Sequence, residues 1–387
     1  MIYTTPPLER VDEAVMALIQ EARDVLRYTV AQAPNRWTGS LRRSTFARAV
    51  QGSNSIEGIN ASLSDAAAII DDERPETVDE ETFRALAGYR NAMTYILQTH
   101  DDPYFELNAQ VVKSLHFMML SYDLTKMPGQ WRPGPIYVVR DHDGETVYEG
   151  PEAEQVPALM NDLIASLTPG TNPLVRGAMA HLNLTMIHPF RDGNGRMARA
   201  IQTLVMARDG LLSPVFCSIE EWLGRNTQSY YDILSKTGQG KWSPQNDALP
   251  WVRFCLRAHY QQAATLVQRS RAMARVFADI EKTARREKLH ERTLISLVDA
   301  AFGFKVRAGQ YQKDNAVSDV VASRDLRRLC DAGLLKPVGE KRGRYYVAAE
   351  PLLDAYRRAR VNDVRAGDPY DIVHERAAAG QRVLPKD

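Results

Sequence analysis

"IHPFRDGNGRMARA", residues 187–200, is the stretch from which the rest of the chain is read. Pro189 disfavours helix in the residue before it, so His188 closes the preceding helix and can point into a cleft. Gly193, Asn194 and Gly195 then turn the chain into a second helix. The first turn of that helix holds backbone N–H groups with no intrahelical partner, and with the positive end of the helix dipole they make an anion site. Arg196 and Arg199 stand three positions apart, hence on one face of the second helix. Guanidinium forks match phosphate oxygens bidentately. Asp192, just before the turn, suits Mg2+, which takes one or two protein carboxylates plus substrate phosphates. His188 is the residue type that removes a proton from a hydroxyl near neutral pH. The pieces add up to a nucleotide-phosphate site with a base beside it. No GxxxxGK[ST] loop is present. The segment before the glycines reads as helix, which excludes a dinucleotide-binding strand–turn–helix.

Outward from this stretch, helical periodicity dominates. Apolar residues at Val15, Leu18, Ile19, Leu26 and Val30 predict a helix over 11–30, broken over 34–39 and followed by another from Leu41 to about Ile56. Further helices are expected over 80–99, 107–120, 156–167 and 174–186. Between them, residues 129–151 read as a hairpin, with Ile136–Val139 and Thr146–Tyr148 flanking an Asp-Gly turn. An arginine-rich helix over 258–288 connects to a separate module near 291–350. That module has helical patterns at 294–302 and 323–331, then two short strands around a basic turn, and it resembles a winged helix. Beyond about Leu353 the chain is polar and charged, and no folded element is expected there.

Bulk properties are those of an ordinary globular chain: 387 residues, 44% hydrophobic, 25% charged, with 49 Lys and Arg against 48 Asp and Glu. At roughly 150 residues per domain, two or three domains are expected. No global field draws nucleic acid or membrane. Cys217, Cys255 and Cys330 are too scattered for a disulfide framework or a metal spacing. No run of about 18 apolar residues spans a bilayer, and no signal peptide opens the chain. A cytoplasmic location is the simplest expectation.

Residues 188–199, HPFRDGNGRMAR, fit without departure the motif HPFx[DE]GNGRxxR, and the chain resembles the Fic family over roughly residues 40–235. The resemblance implies a mainly α fold with a β-hairpin flap over the active site, and transfer of AMP from ATP to a Ser, Thr or Tyr hydroxyl of a target protein. It implies His188 as general base, Asp192 as the Mg2+ ligand, and Gly193, Asn194 and Gly195 as the anion-binding turn. Arg196 and Arg199 would hold the β- and γ-phosphates, and Phe190 would anchor the loop in the core. The hairpin at 136–149 falls where the family's flap registers the target by strand addition. Asn226, Tyr230 and Tyr231 resemble the segment lining the adenine side.

"SNSIEGIN", residues 53–60, matches the inhibitory pattern [ST]xxxE[GN] of relatives with an N-terminal inhibitory helix, through Ser53, Glu57 and Gly58. In that reading Glu57 pairs with Arg199 in place of the γ-phosphate. The implied organisation is an N-terminal helical region (1–105, inhibitory helix about 41–58), a core (106–257), a connecting helix (258–290), a winged-helix-like domain (291–350) and a polar tail (351–387). Residues 320–346 hold seven basic and three acidic residues, which makes DNA a candidate partner beside a target protein, a second copy of the chain and the chain itself as substrate. Two other functions share these residues. One is a Fic enzyme that uses another nucleotide or removes AMP. The other is a nucleotide-sensing DNA-binding regulator, against which His188 weighs, since a pure sensor needs no base.

Overall fold

The centre of the computed structural model is α7 (Pro173–Ile187), which is buried on nearly every side. The structure describes residues 1–387 except 33–34, 140–143, 169, 211–213, 341–342, 362, 364–365 and 382–387. Asn172 caps the start of α7 by accepting from the Leu174 N–H at 3.0 Å, with Pro173 in the first turn. Small and apolar residues all round the helix (Val175, Ala178, Ala180, Leu182, Leu184) suit it to a position with no wet face. Two of its buried polar residues, His181 and Asn183, have their side chains hydrogen-bonded. His181 Nε2 meets the Tyr230 hydroxyl at 2.8 Å, and Asn183 pairs with the Tyr3 backbone at 2.8 and 3.0 Å.

α8 (Asn194–Arg208) packs back against α7, with Gly177 close enough to Met206 that a Cβ there would sit 3.3 Å from its sulfur. Around this pair lie α1 (Arg10–Gln32), α2 (Asn35–Ile56), α3 (Leu63–Ile70), α4 (Glu80–Thr99), α5 (Ala109–Leu120), α6 (Val156–Ala165), α9 (Glu220–Arg225), α10 (Thr227–Gly238) and α11 (Leu249–Arg286). α2 begins before Leu41, so Trp37–Gly39 is helical rather than part of the expected break, and buried Trp37 explains why packing overrides the glycine. Glycines set the closest approach of α2 to α9. A Cβ on Gly52 would lie 2.5 Å from the Glu220 carbonyl oxygen, and one on Gly224 2.8 Å from the Gly52 Cα.

The expected hairpin forms from β1 (Tyr137–Val139) and β2 (Thr146–Glu149), antiparallel, with Val138 opposite Tyr148 and a register shift after it. The Asp143 half of its turn lies outside the described residues. On its far side β2 pairs with residues 240–242, through Glu149 N to Gly240 O at 3.0 Å and Trp242 N to Glu149 O at 2.8 Å. The other edge of β1, with Tyr137 and Val139 exposed, has no ladder partner among the described residues.

α11 starts at Leu249 and so runs through the boundary expected at residue 257, with Trp251 Nε1 donating to Ala178 O at 2.7 Å. The C-terminal region holds α12 (Leu294–Ala301), α13 (Ala308–Asn315) and α14 (Asp319–Asp331), then antiparallel β3 (Leu335–Val338) and β4 (Tyr345–Ala348). α13 was not expected. Its polar run "AGQYQKDN" buries only Tyr311, too little for periodicity to register. The basic turn residues Lys341 and Arg342 lie outside the described residues. The polar tail requires correction: α15 (Glu350–Arg360) and α16 (Pro369–Ala378) fold back on α11 and α1. Their burial is confined to a few residues, among them Leu352, Ala355, Tyr370 and Val373, and ion pairs supply the rest. Arg257 joins Asp368 at 2.7 Å and lies 4.5 Å over the Tyr370 ring, whose hydroxyl donates to Asp12 at 2.9 Å. Among the described residues no helix is long and apolar enough to cross a membrane.

Candidate active site

His188 is the residue after α7, in the left-handed region at φ 51°, and its N–H still bonds to Leu184 O at 3.0 Å. Its Nδ1 lies 3.1 Å from Thr185 O, which fixes that nitrogen as the donor and leaves a lone pair on Nε2. Burial pushes its pKa down to about 4, helped by the Arg132 cation and opposed by the Thr185 carbonyl and the Glu57 and Asp192 carboxylates. At neutral pH the imidazole is therefore uncharged and able to accept a proton.

The loop that follows is held by groups outside the motif. Phe190 is fully buried, stacked on His116 with centroids 3.7 Å apart and 5.0 Å from Trp131. His116 accepts from the Gly129 N–H at 2.8 Å and donates to Asp192 O at 2.9 Å. Asn194 closes the loop on itself, accepting from Phe190 N and donating to Phe190 O, both at 2.9 Å. Its amide thus shapes the turn and is not free for a ligand. Gly193 sits at φ 75°, and a Cβ there would be 2.7 Å from Leu120. Arg132, almost fully buried, donates to His188 O at 2.9 Å and to Gly134 O at 2.6 Å, and it also bonds Pro151 O. It ties the foot of the hairpin to the loop that follows α7.

The two motif arginines lie under the α8 N-terminus and are almost fully buried. Nε and one terminal nitrogen of Arg196 have no hydrogen-bond partner, and its nearest carboxylate, Asp192, is 3.9 Å away. A buried guanidinium left in this state is costly unless an anion completes it. Arg199 is better served. Its Nε donates to Ser53 Oγ at 2.8 Å, and one terminal nitrogen to Ser53 O at 3.0 Å and Glu57 Oε1 at 2.6 Å. The other terminal nitrogen has no partner. Burial is the largest single influence and opposes the Arg199 charge, but Glu57 with the Tyr230 and Tyr89 hydroxyls together outweigh it and hold the guanidinium above its usual pKa.

Glu57 reaches this position because α2 ends beneath it. Gly58 adopts φ 77° just past the helix, with Gly58 N bonded to Ser55 O and Ile59 N to Asn54 O, both at 3.1 Å. That is the double bond of a left-handed helix stop, and it explains the glycine after the glutamate. The Glu57 carboxylate covers the first turn of α8 so closely that a Cβ on Gly195 would be 2.5 Å from Oε1. Ser53, Glu57 and Gly58 are thus brought onto the same ground as Gly195 and Arg199.

Asp192 is partly exposed, and three groups hold its carboxyl below the usual range against its burial. They are Lys126 at 2.7 Å, the more distant Arg196 and its neighbour's N–H at Gly193. The donor set would fit Mg2+ as one hard oxygen ligand beside the unpartnered guanidinium nitrogens of Arg196 and Arg199. Among the described residues no group of three metal-ligating side chains exists, so other ligands would come from substrate oxygens and water.

The expected adenine residues divide. Tyr230 is fully buried against His181 and Trp251, behind Arg199, and cannot offer a face to a base. Its hydroxyl needs an internal partner, and His181 supplies one. Asn226 spends its amide on Trp222 O at 2.7 Å. Tyr231 is half exposed, with its hydroxyl on Ile56 O at 2.8 Å, beside the end of α2. Lys126, His116 and Arg132 escaped the sequence reading. For His116 the only signal was its place on the helix that precedes the flap.

Residues 106–206, which contain the whole loop, match the Fic/DOC family. The chain carries a Fic domain. It is 25% identical over 257 residues to "Protein adenylyltransferase Fic" of Nematostella vectensis, an overlap covering 65% of this chain and 55% of that protein. With "Protein adenylyltransferase fic-1" of Caenorhabditis elegans it shares 26% over 259 residues, 65% of this chain and 46% of the other. The chain spans about half the length of the curated relatives it matches. Its fold is that of a Fic family protein from Desulfovibrio desulfuricans G20, with TM-score 0.58 and 21% identity over 89% of this chain and 98% of that one. A C. elegans Fic-1 fragment gives TM-score 0.51 at 22% identity, covering 66% and 71%.

Proposed function

We propose that this protein is a Mg2+-dependent adenylyltransferase that moves AMP from ATP to a protein hydroxyl and is restrained by Glu57. The observation that carries the reading is the pair of buried arginines, Arg196 short of partners and Arg199 occupied by a carboxylate from another helix. Both await the same class of ligand, a chain of phosphates. The Fic domain and relatives named protein adenylyltransferase support ATP and a protein target.

In the reaction, the target's hydroxyl oxygen bonds to the α-phosphorus of ATP while the bond from that phosphorus to the bridging oxygen breaks. His188 Nε2 takes the hydroxyl proton, and pyrophosphate leaves. The α8 N–H groups with Arg196 and Arg199 neutralise the departing charge in a dry site, where fixed donors act strongly. Mg2+ on Asp192 would add charge stabilisation at the phosphates. The open edge of β1 offers backbone groups to an extended target segment, and Tyr231 with Asn226 would border the base. With Glu57 on Arg199, ATP loses one terminal guanidinium contact and its phosphates are misplaced for in-line attack. The C-terminal module we read as a winged helix, with α14 and its hairpin toward DNA or a protein.

The test is mass spectrometry of the Glu57→Gly protein after incubation with MgATP. A gain of one AMP on the protein or on an added target supports the reading; hydrolysis or no product at all overturns it.

A further inference from the structure

Lys126 is the last residue of a short turn (Leu124–Lys126) that follows α5, and its ammonium lies 2.7 Å from Asp192 Oδ2. The pairing is built in rather than casual. Asp123 caps the turn by accepting from Thr125 N at 3.0 Å, and Met127 closes it in the left-handed region at φ 51°. Three residues past the lysine, Gly129 N bonds to His116 Nδ1, and the other nitrogen of the same ring holds the Asp192 carbonyl. One imidazole therefore fixes both the lysine's turn and the aspartate's backbone.

We propose that Lys126 is a resident cation on the metal-binding carboxylate, one that a divalent ion must displace and that so sets the metal demand of the site. The inference rests on the reading of Asp192 as metal ligand. An ammonium and a Mg2+ ion cannot share one carboxylate oxygen at contact distance without strong repulsion, and Mg2+ accepts only tight octahedral geometry. Lys126, with 29% of its side chain exposed, has room to swing away on its flexible stem. Without metal, the same ammonium keeps Asp192 from repelling the nucleotide's phosphates.

The two roles predict opposite effects of one substitution. ATP binding is measured by calorimetry on the full chain, with Mn2+ or with EDTA, all variants in a His188→Ala background so that no nucleotide is consumed. Lys126→Met should bind ATP about tenfold tighter than its parent with Mn2+ and several-fold weaker in EDTA. A lysine that merely supports the fold would weaken both when removed, and one that holds phosphate throughout would do the same. Unchanged or weaker binding with Mn2+ overturns the proposal. Asp192→Asn separates its failure from failure of the underlying reading. If Mn2+ no longer helps ATP in Asp192→Asn while Lys126→Met matches its parent, only the competition is wrong. If Mn2+ still helps fully in Asp192→Asn, the metal role of Asp192 falls, and the competition with it.

Discussion

Replacing Glu57 tests whether the carboxylate on Arg199 is a brake. The contact is a charge-assisted hydrogen bond of 2.6 Å to a guanidinium that is almost fully buried. Such bonds contribute about 1.5–3 kcal/mol. Glu57 itself has 26% of its side chain exposed, and solvent screening places the value toward the lower end. At about 1.4 kcal/mol per factor of ten, Glu57→Gly should raise the rate of AMP incorporation roughly tenfold or more. Glu57→Asp, one methylene shorter and unable to hold the same geometry, should land between. Glu57→Gly is measured with radiolabelled ATP against total protein, and in parallel by ATP binding, which should change less than the rate because only one phosphate contact is freed. Combining it with His188→Ala must silence the protein, since releasing the brake does not replace the base. If Glu57→Gly leaves the rate unchanged while His188→Ala abolishes it, the salt bridge is structural and the regulatory reasoning fails.

His188→Ala should cost about 10²–10⁴ in rate with an unchanged melting curve, and near-parental turnover would remove it as the base. Because its pKa is pushed down to about 4, the proton-accepting form persists through pH 7 to 5, so the rate of the Glu57→Gly protein should stay level there; a fall centred near pH 6.5 would contradict the burial argument. Phe190→Ala empties a core site and should lower stability by about 3–5 kcal/mol in denaturant unfolding, with activity lost through the loop rather than through chemistry. Stability itself should decline from pH 7 to 5. The imidazoles of His116, His181 and His188, pushed down to about 4, 3 and 4, contribute stability that is full above their unfolded pKa and lost as pH falls toward the folded one. Buried Glu220, raised to about 7, runs the other way and is outnumbered; a flat denaturation midpoint across that range would show otherwise.

The loop from His188 to Arg199 was legible because its chemistry is local: a proline stop, a glycine turn and two arginines on one helical face need no tertiary information. Glu57 and its pairing with Arg199 were legible only through the resemblance, because the two lie too far apart in the chain for periodicity to join them, and the structure makes that contact. Residues that position the site from outside it left weaker marks. Arg132 reaches three backbone carbonyls, and nothing in "GQWRPGP" says which. Tyr230 misled because a tyrosine in a helix reads alike whether it lines a pocket or fills a core. The C-terminal helices were missed for a thermodynamic reason. α15 and α16 bury few apolar residues and depend on partners such as Arg257 and Asp12, so local periodicity had little to report.

The division of labour within the site follows from what each group must keep free. Arg132, His116 and Asn194 hold the loop almost wholly through its main-chain groups: the carbonyls of His188, Phe190 and Asp192 and the N–H of Phe190. Two nitrogens of Arg196 are thereby left unpartnered for the proposed phosphates, while His188 keeps one bond to Thr185 O and Asp192 keeps Lys126 and the Gly193 N–H. Such a site arrives at the reaction with its donors already oriented, which is where fixed dipoles in a water-poor cleft gain their advantage. The cost is a buried guanidinium with unfilled nitrogens at Arg196 and another at Arg199. Glu57 offsets that cost on Arg199 alone. On the proposed function, the same carboxylate that neutralises Arg199 in this structure is the one that would stand in the nucleotide's way.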